Sequence, residues 1–416
     1  MVFSDEWLLF RVWHVAAPFT LNPIPMLSAS TRLTRLLALG LALLLYACGP
    51  GDARTETAPD TELQPGLWVF VGTYTGKESK GIYRLDLDPA TGALSEPTLV
   101  AEPANPSFLT LHPTQPYLYA VTENGDGNRG GALSAYAIED GGSLRLLNTR
   151  DTRGANPCHV SMDSKGRYAL VAHYSSGSVI VFPVGEDGQL QEASSQVQHE
   201  GGSQATDRQL DPHPHSIFLD AADRYAYVPD LGQDRVAVYR FDTGALQAVS
   251  EGRVAPGSGP RHFAFHPSLP VAYTNDELSL AVTVFARDSA TGALSEIETV
   301  STMPTGEWPG SSTAQIVVSP DGRFVYVSNR GHNSIATFAV DPVQGTLRLL
   351  GHQATGGETP RNFNLTPDGR LMVVANQNSD NLVVFRLDPE TGLPSETGIS
   401  VGVPTPVCVQ FRTREE

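Results

Sequence analysis

Residues 259–284 read GPRHFAFHPSLPVAYTNDELSLAVTV. Phe263 and Phe265 alternate with Ala264, His266–Pro270 turns the chain, and Val271–Thr274 runs back. This is the pattern of two antiparallel strands joined by a tight turn. Such a pair sets the start of its first strand beside the end of its second. Arg261 and His262 are therefore expected near Asp276 and Glu277. One hairpin gathers two basic and two acidic groups at one end, which folding does not require.

The frame recurs along the chain. Pro360–Asn376 (PRNFNLTPDGRLMVVAN) and Thr313–Arg330 (TAQIVVSPDGRFVYVSNR) repeat it, as do Pro106–Glu123, Pro157–His173 and Pro214–Asp230. A later strand pair follows in each unit, around turns such as Asp288–Glu296 (DSATGALSE) and Asp388–Glu396 (DPETGLPSE), whose Thr-Gly pair supplies the positive φ of a hairpin. A period of roughly 45–55 residues with several short strands is the mark of propeller blades. Second strands are expected to begin near Trp68, Tyr117, Tyr168, Tyr225, Val271, Phe324 and Leu371, which makes seven. First strands are expected near Pro106, Pro157, Pro214, Pro260, Thr313, Pro360 and Pro406. The unit at Trp68 lacks a first strand and the chain ends on an orphan one, Pro406–Phe411. The expected fold is thus an all-β, seven-bladed β-propeller over 67–416. The C-terminal strand is expected to pair into the first blade and close the ring, which removes two exposed edges and ties the termini together.

Composition agrees and narrows the partners. The 416 residues include 39 Gly and 31 Pro, suited to a turn-rich β protein, and the formal charge of −17 argues against nucleic acid or an anionic membrane surface. Residues 26–48 have the form of an export signal. Arg32 and Arg35 precede the apolar run Leu36–Leu45, and Leu45-Tyr46-Ala47-Cys48 resembles a bacterial lipobox. Export to the periplasm or cell envelope follows, with Cys48 lipidated and that lipid the only membrane attachment. Residues 1–25 carry Asp5, Glu6, Trp7 and Trp13, which suit no leader, so translation is expected to start at Met26. Residues 49–66 read as a flexible linker. The other two cysteines, Cys158 and Cys408, read as small buried hydrophobes without a disulfide.

Every blade brings the start of its first strand and the end of its second to one face of the ring. The first-strand starts contribute His159, His213, His215, Arg261, His262, Arg361 and Asn362. The second-strand ends contribute Glu123, Asn124, His173, Asp230, Asp276, Glu277, Asn329, Arg330 and Asn376. Arginines and histidines around one mouth of an acidic protein suit an anionic or oxyanion-forming ligand, and carboxylate–imidazole pairs can do acid–base work. His213-Pro214-His215 has no further closely spaced ligand to make a metal site, and neither metal nor cofactor is expected. No GxSxG elbow, P-loop or dinucleotide fingerprint occurs.

The segments Asp211–Val236, Gly259–Leu278, Ser319–Phe338 and Gly357–Phe385 resemble the seven-bladed propeller lactonases, a family that takes in cycloisomerase-type 6-phosphogluconolactonases and fungal carboxymuconate cyclases. The likeness spans about 68 to 411. It implies a metal-independent hydrolase of a carbohydrate-type lactone, with Glu277, His215, Arg261 and Arg330 as catalytic residues and Asp276-Glu277-Leu278 in place of the family's Asn-Glu-Leu. His213, His159, His262, Arg361 and Asp276 are expected to bind substrate, a small and anionic lactone, on a monomer. The resemblance is to a largely cytoplasmic family, whereas this chain looks exported. Two alternatives stay open: an exported propeller that binds a ligand or partner without catalysis, and a muconate-type cycloisomerase.

Overall fold

A computed structural model describes residues 66–414, apart from Lys77 and residues 125–129. The expected start-site extension, the signal segment with Cys48 and residues 49–65 of the linker lie outside the described residues. Among the described residues no helix is long and apolar enough to cross a membrane.

The described residues form seven four-stranded antiparallel sheets. Ring closure is as expected: Pro406–Thr413 pairs with Leu67–Thr73, from Leu67 opposite Thr413 to Thr73 opposite Pro406. That sheet continues outward through Ile82–Leu87 and Thr98–Ala101. Six second strands begin at the expected residues and the first begins one residue early, at Leu67.

Two inner strands are shorter than expected, Leu109–Leu111 and Phe218–Leu219. In the second case Pro214 still bridges Asp230, but the ladder is then interrupted. The partner strand carries Pro229 there, which has no N–H to give. The Ile217 N–H donates to His159 Nδ1 of the neighbouring blade at 3.4 Å, as the Leu109 N–H of the second blade does to Cys408 Sγ at 3.3 Å.

Second strands such as Val271–Asp276 and Leu371–Asn376 are buried along their whole length, because blades cover both of their faces. Outer strands such as Leu294–Ser301 are mostly exposed. Neighbouring blades are tied by a repeated bond. The hydroxyls of Tyr119, Tyr227, Tyr273 and Tyr326 donate to the carbonyls of Gly188, Gly292, Gly345 and Gly392, at 3.1, 3.0, 3.0 and 2.8 Å. Each of these glycines has a positive φ in the hairpin turn of the next blade. Cys158 and Cys408 are both buried free thiols.

Candidate functional site

The site follows from one irregularity repeated around the ring. In five blades the pairing of the inner strand with its neighbour slips near the strand start, as between Pro157 and His159, Pro260 and His262, and Pro360 and Asn362. A bulge of this kind re-aims the extra residue. At these three steps the extra residues are Cys158, Arg261 and Arg361, and all three line a cavity on the ring axis together with Ser107, His215 and Val407. All six directly follow the proline that opens an inner strand. Several of those prolines are preceded by a left-handed residue, including Asn105 (φ 42°), Asn156 (φ 53°) and Gly259 (φ 65°). At Gly259 a Cβ would also meet Leu278 Cγ at 2.8 Å.

A second ring comes from the residue just past each second strand. The N–H groups of Tyr74, Glu123, Tyr174 and Glu277 donate to the carbonyls of Thr405, Asn105, Asn156 and Gly259. These bonds lock the exit residues over the bulges. Arg330, the last residue of its strand, occupies the same place in the sixth blade.

The two rings meet at Glu277. Its Oε2 accepts from Arg261 Nε at 2.9 Å and lies 3.0 Å from Arg330 Nη2, and its Oε1 accepts from Arg208 Nη1 at 2.7 Å. Burial alone would raise this carboxyl, but the Arg330, Arg261 and Arg208 charges outweigh it and hold Glu277 at about 2. The carboxylate is therefore fully ionised at neutral pH. Arg261 is buried, and its Nη1 also reaches the Ala314 carbonyl and His262 Nε2. His262 Nδ1 bonds Gln315 Oε1, so the neutral tautomer that donates to Gln315 and accepts from Arg261 satisfies both contacts.

His215 lies at the cavity wall, with Nδ1 3.7 Å from Cys158 Sγ. Burial, reinforced by the Arg261 and Arg361 charges, holds its pKa well below the usual imidazole value, so it is neutral. Across the cavity Arg361 Nη2 donates to Tyr74 Oη at 2.9 Å, and Tyr74 Oη donates to Glu123 Oε2 at 2.8 Å. Four guanidinium groups and two carboxylates thus share one mouth. The enclosed cavity is about 10 Å3, room for about one water. A ligand ring would sit above it, among the side chains that now bond across the opening. A larger hollow, about 850 Å3, lies at the opposite end among reverse-turn residues such as Ser164, Arg167 and Asp223. Ser164 and Asp223 there bond each other, and no histidine lines it.

Of the residues expected in the site, Glu277, Arg261, Arg330, His215, His262 and Arg361 are brought together. His213 stands beside them, half-buried, stacked on Tyr174 at 4.3 Å and held by the Tyr174 carbonyl. Two expectations need correction. Asp276 does not face the mouth. Side chains alternate along its strand, and Asp276 turns into its own blade, where Thr283 Oγ1 donates to it at 2.7 Å. It holds the place that Asn329 and Asn376 hold in the next two blades, each donating to a carbonyl of the connection that leads in from the preceding blade, Thr302 and Thr355. His159 is enclosed by Phe108, Phe218 and His262 rings, so it packs between blades rather than meeting a ligand.

Sequence reasoning placed none of Arg208, Tyr74, Tyr174, Ser107 and Cys158 in the site. The last four are readable in hindsight from the two repeat positions, after the inner-strand proline and after the second strand. Arg208 belongs to no repeat. It lies in the long connection between Ser195–Gln198 and Phe218–Leu219. Among the described residues no group of three or more His, Cys, Asp or Glu is arranged to hold a metal.

Residues 68–411 match the family described as "Lactonase, 7-bladed beta-propeller". The chain is similar to the 6-phosphogluconolactonase of Bacillus subtilis, 40% identical over 343 residues, covering 82% of this chain and 97% of that protein. A 6-phosphogluconolactonase of Formosa agariphila is 35% identical over 304 residues, covering 71% and 85%. Among solved structures, the periplasmic gluconolactonase of Pseudomonas aeruginosa superposes with a TM-score of 0.78 at 38% identity, covering 83% of this chain and 99% of that one.

Proposed function

The chain belongs to the seven-bladed β-propeller lactonases, and on that premise we propose that its arginine-lined mouth hydrolyses an aldonolactone through Glu277, Arg261, Arg330 and His215. The observation that carries this assignment is the Glu277 carboxylate, ionised and held by three guanidinium groups, one of which, Arg261, lines the same cavity as the neutral His215 imidazole. Arg261 and Arg330 supply donors where negative charge develops on the carbonyl oxygen. A water oxygen bonds to the carbonyl carbon as its proton passes to Glu277. Collapse of the tetrahedral intermediate breaks the bond to the ring oxygen, which takes that proton back. The product is a hydroxy acid, which ionises in water. His215 hydrogen-bonds the attacking water or the ring oxygen, and His262 positions Arg261. Arg361 and Tyr74 face the far side of the substrate.

A carboxylate held at about 2 is a weak base in the empty mouth. An anionic substrate would draw part of the arginine charge to itself and restore basicity, which favours a phosphorylated or carboxylated lactone. Arg330→Met keeps the bulk and removes the charge. Its kcat/KM, followed by proton release on gluconolactone and 6-phosphogluconolactone, should fall about 100-fold or more. Unchanged kinetics on both lactones would exclude Arg330 from the mechanism.

The export signal completes the proposal. The enzyme acts outside the cytoplasm, held by a lipid anchor at Cys48, and one structural relative is described as periplasmic. Cys48→Ser should release the protein from the membrane fraction of the native host. Equal membrane retention of the variant would remove the anchor from the account.

A further inference from the structure

Arg208 stands apart from every other charged group in the mouth. It comes from the longest connection between blades among the described residues, 199–217, its side chain is 49% exposed, and it crosses the opening to Glu277. Both of its contacts are charge-assisted hydrogen bonds to other side chains, Nη1 to Glu277 Oε1 at 2.7 Å and Nη2 to Tyr174 Oη at 2.6 Å. Arg261 and Arg330 occupy only Oε2. Arg208 therefore covers the one carboxylate oxygen that Arg261 and Arg330 leave unbonded. The connection is anchored at the next residue, since buried Gln209 donates to Asp234 Oδ1 at 2.6 Å and to the Leu231 carbonyl at 2.8 Å. The base of the arginine is fixed, and its guanidinium is bound only by contacts that a ligand can replace.

We propose that Arg208 reads the charge of the substrate: it covers Glu277 Oε1 in the empty site and transfers to an anionic group on the lactone, which frees that oxygen to accept the proton of the attacking water. No bond other than hydrogen bonds changes in this transfer. Arg208 is set against the charged and titratable groups facing Glu277: Arg261 from Pro260–Phe265, Arg330 from Phe324–Arg330, Arg361 from Pro360–Leu365, and Tyr174. The three other arginines are tied to residues of the blades. An uncharged lactone offers Arg208 nothing in exchange, so with it the covered state persists and turnover is slow. This inference rests on Glu277 being the proton acceptor.

The test compares full-length wild type, Arg208→Gln and Arg208→Lys on gluconolactone and on 6-phosphogluconolactone, with Glu277→Gln as the reference. Arg208→Gln should raise kcat on the uncharged lactone about tenfold, because Oε1 is no longer covered, and lower kcat/KM on the phosphorylated one about tenfold or more. Arg208→Lys should keep part of the preference for the phosphorylated lactone. A purely structural role predicts equal losses on both substrates, and that result, or no change on either, overturns the inference. If Glu277→Gln turns over like wild type, the catalytic assignment itself falls and this inference falls with it. Calorimetry with 6-phosphogluconate reads the charge contact without turnover. Binding about tenfold weaker in Arg208→Gln supports the transfer, and unchanged affinity overturns it.

Discussion

Asp276 and Glu277 follow one another in the chain, yet one carboxyl is pushed up to about 8 and the other is held at about 2. Both are buried. Asp276 has one hydrogen bond, from Thr283, and its Oδ1 has no partner. Burial raises it, and the Asp234 and Glu296 charges add to that. Glu277 meets three arginines. The folded protein holds the Asp276 proton more tightly than the unfolded chain does. This contribution to stability is complete below about pH 4 and is lost as pH rises through about 8. Asp276→Asn, the side chain that the next two blades carry at this place, should leave stability little changed near pH 4. It should raise it by about 1–3 kcal/mol at pH 9. Thermal unfolding of the two proteins across that range checks this, and a difference independent of pH would contradict it. Glu277 behaves in the opposite sense. Its contribution is present above about 4.5 and is lost as pH falls through about 2.

A blade element explains which residues could be read in advance. The proline that opens an inner strand, the alternation after it and the turn that follows all have local sequence signatures, so most strand starts and the ring closure were legible. Arg261, His215 and Arg361 were legible for the same reason, since each follows such a proline. Legibility failed where position depended on an exact register. Asp276 and Glu277 differ by one step, and one step along a strand turns a side chain to the other face. Only the observed pairing of Pro260 with Asp276 tells which of them leaves the blade for the mouth. Phe218–Leu219 shortened because Pro229 lay opposite, a consequence of pairing and not of local propensity. Arg208 was beyond reach because it lies in a connection far longer than those between the other described blades, where no repeat position marks it.

The site exists only as a property of the closed ring. Ser107, Cys158, His215, Arg261 and Arg361 come from five blades and meet on the axis. Closure depends on Pro406–Thr413 entering the first blade, where Cys408 Sγ also accepts the Leu109 N–H of the second blade at 3.3 Å. The whole molecule carries a formal charge of −17, yet its mouth concentrates four guanidinium groups. An acidic surface around a cationic pocket favours release of an acid once the ring-opened product leaves the arginines. The decisive measurement is proton release from gluconolactone and 6-phosphogluconolactone by purified wild type and Glu277→Gln, with folding of both verified by circular dichroism. The site described here predicts turnover by wild type on at least one lactone and a loss of about 100-fold or more in kcat for the variant. Equal turnover by the two folded proteins, or none by wild type on either lactone, would contradict it.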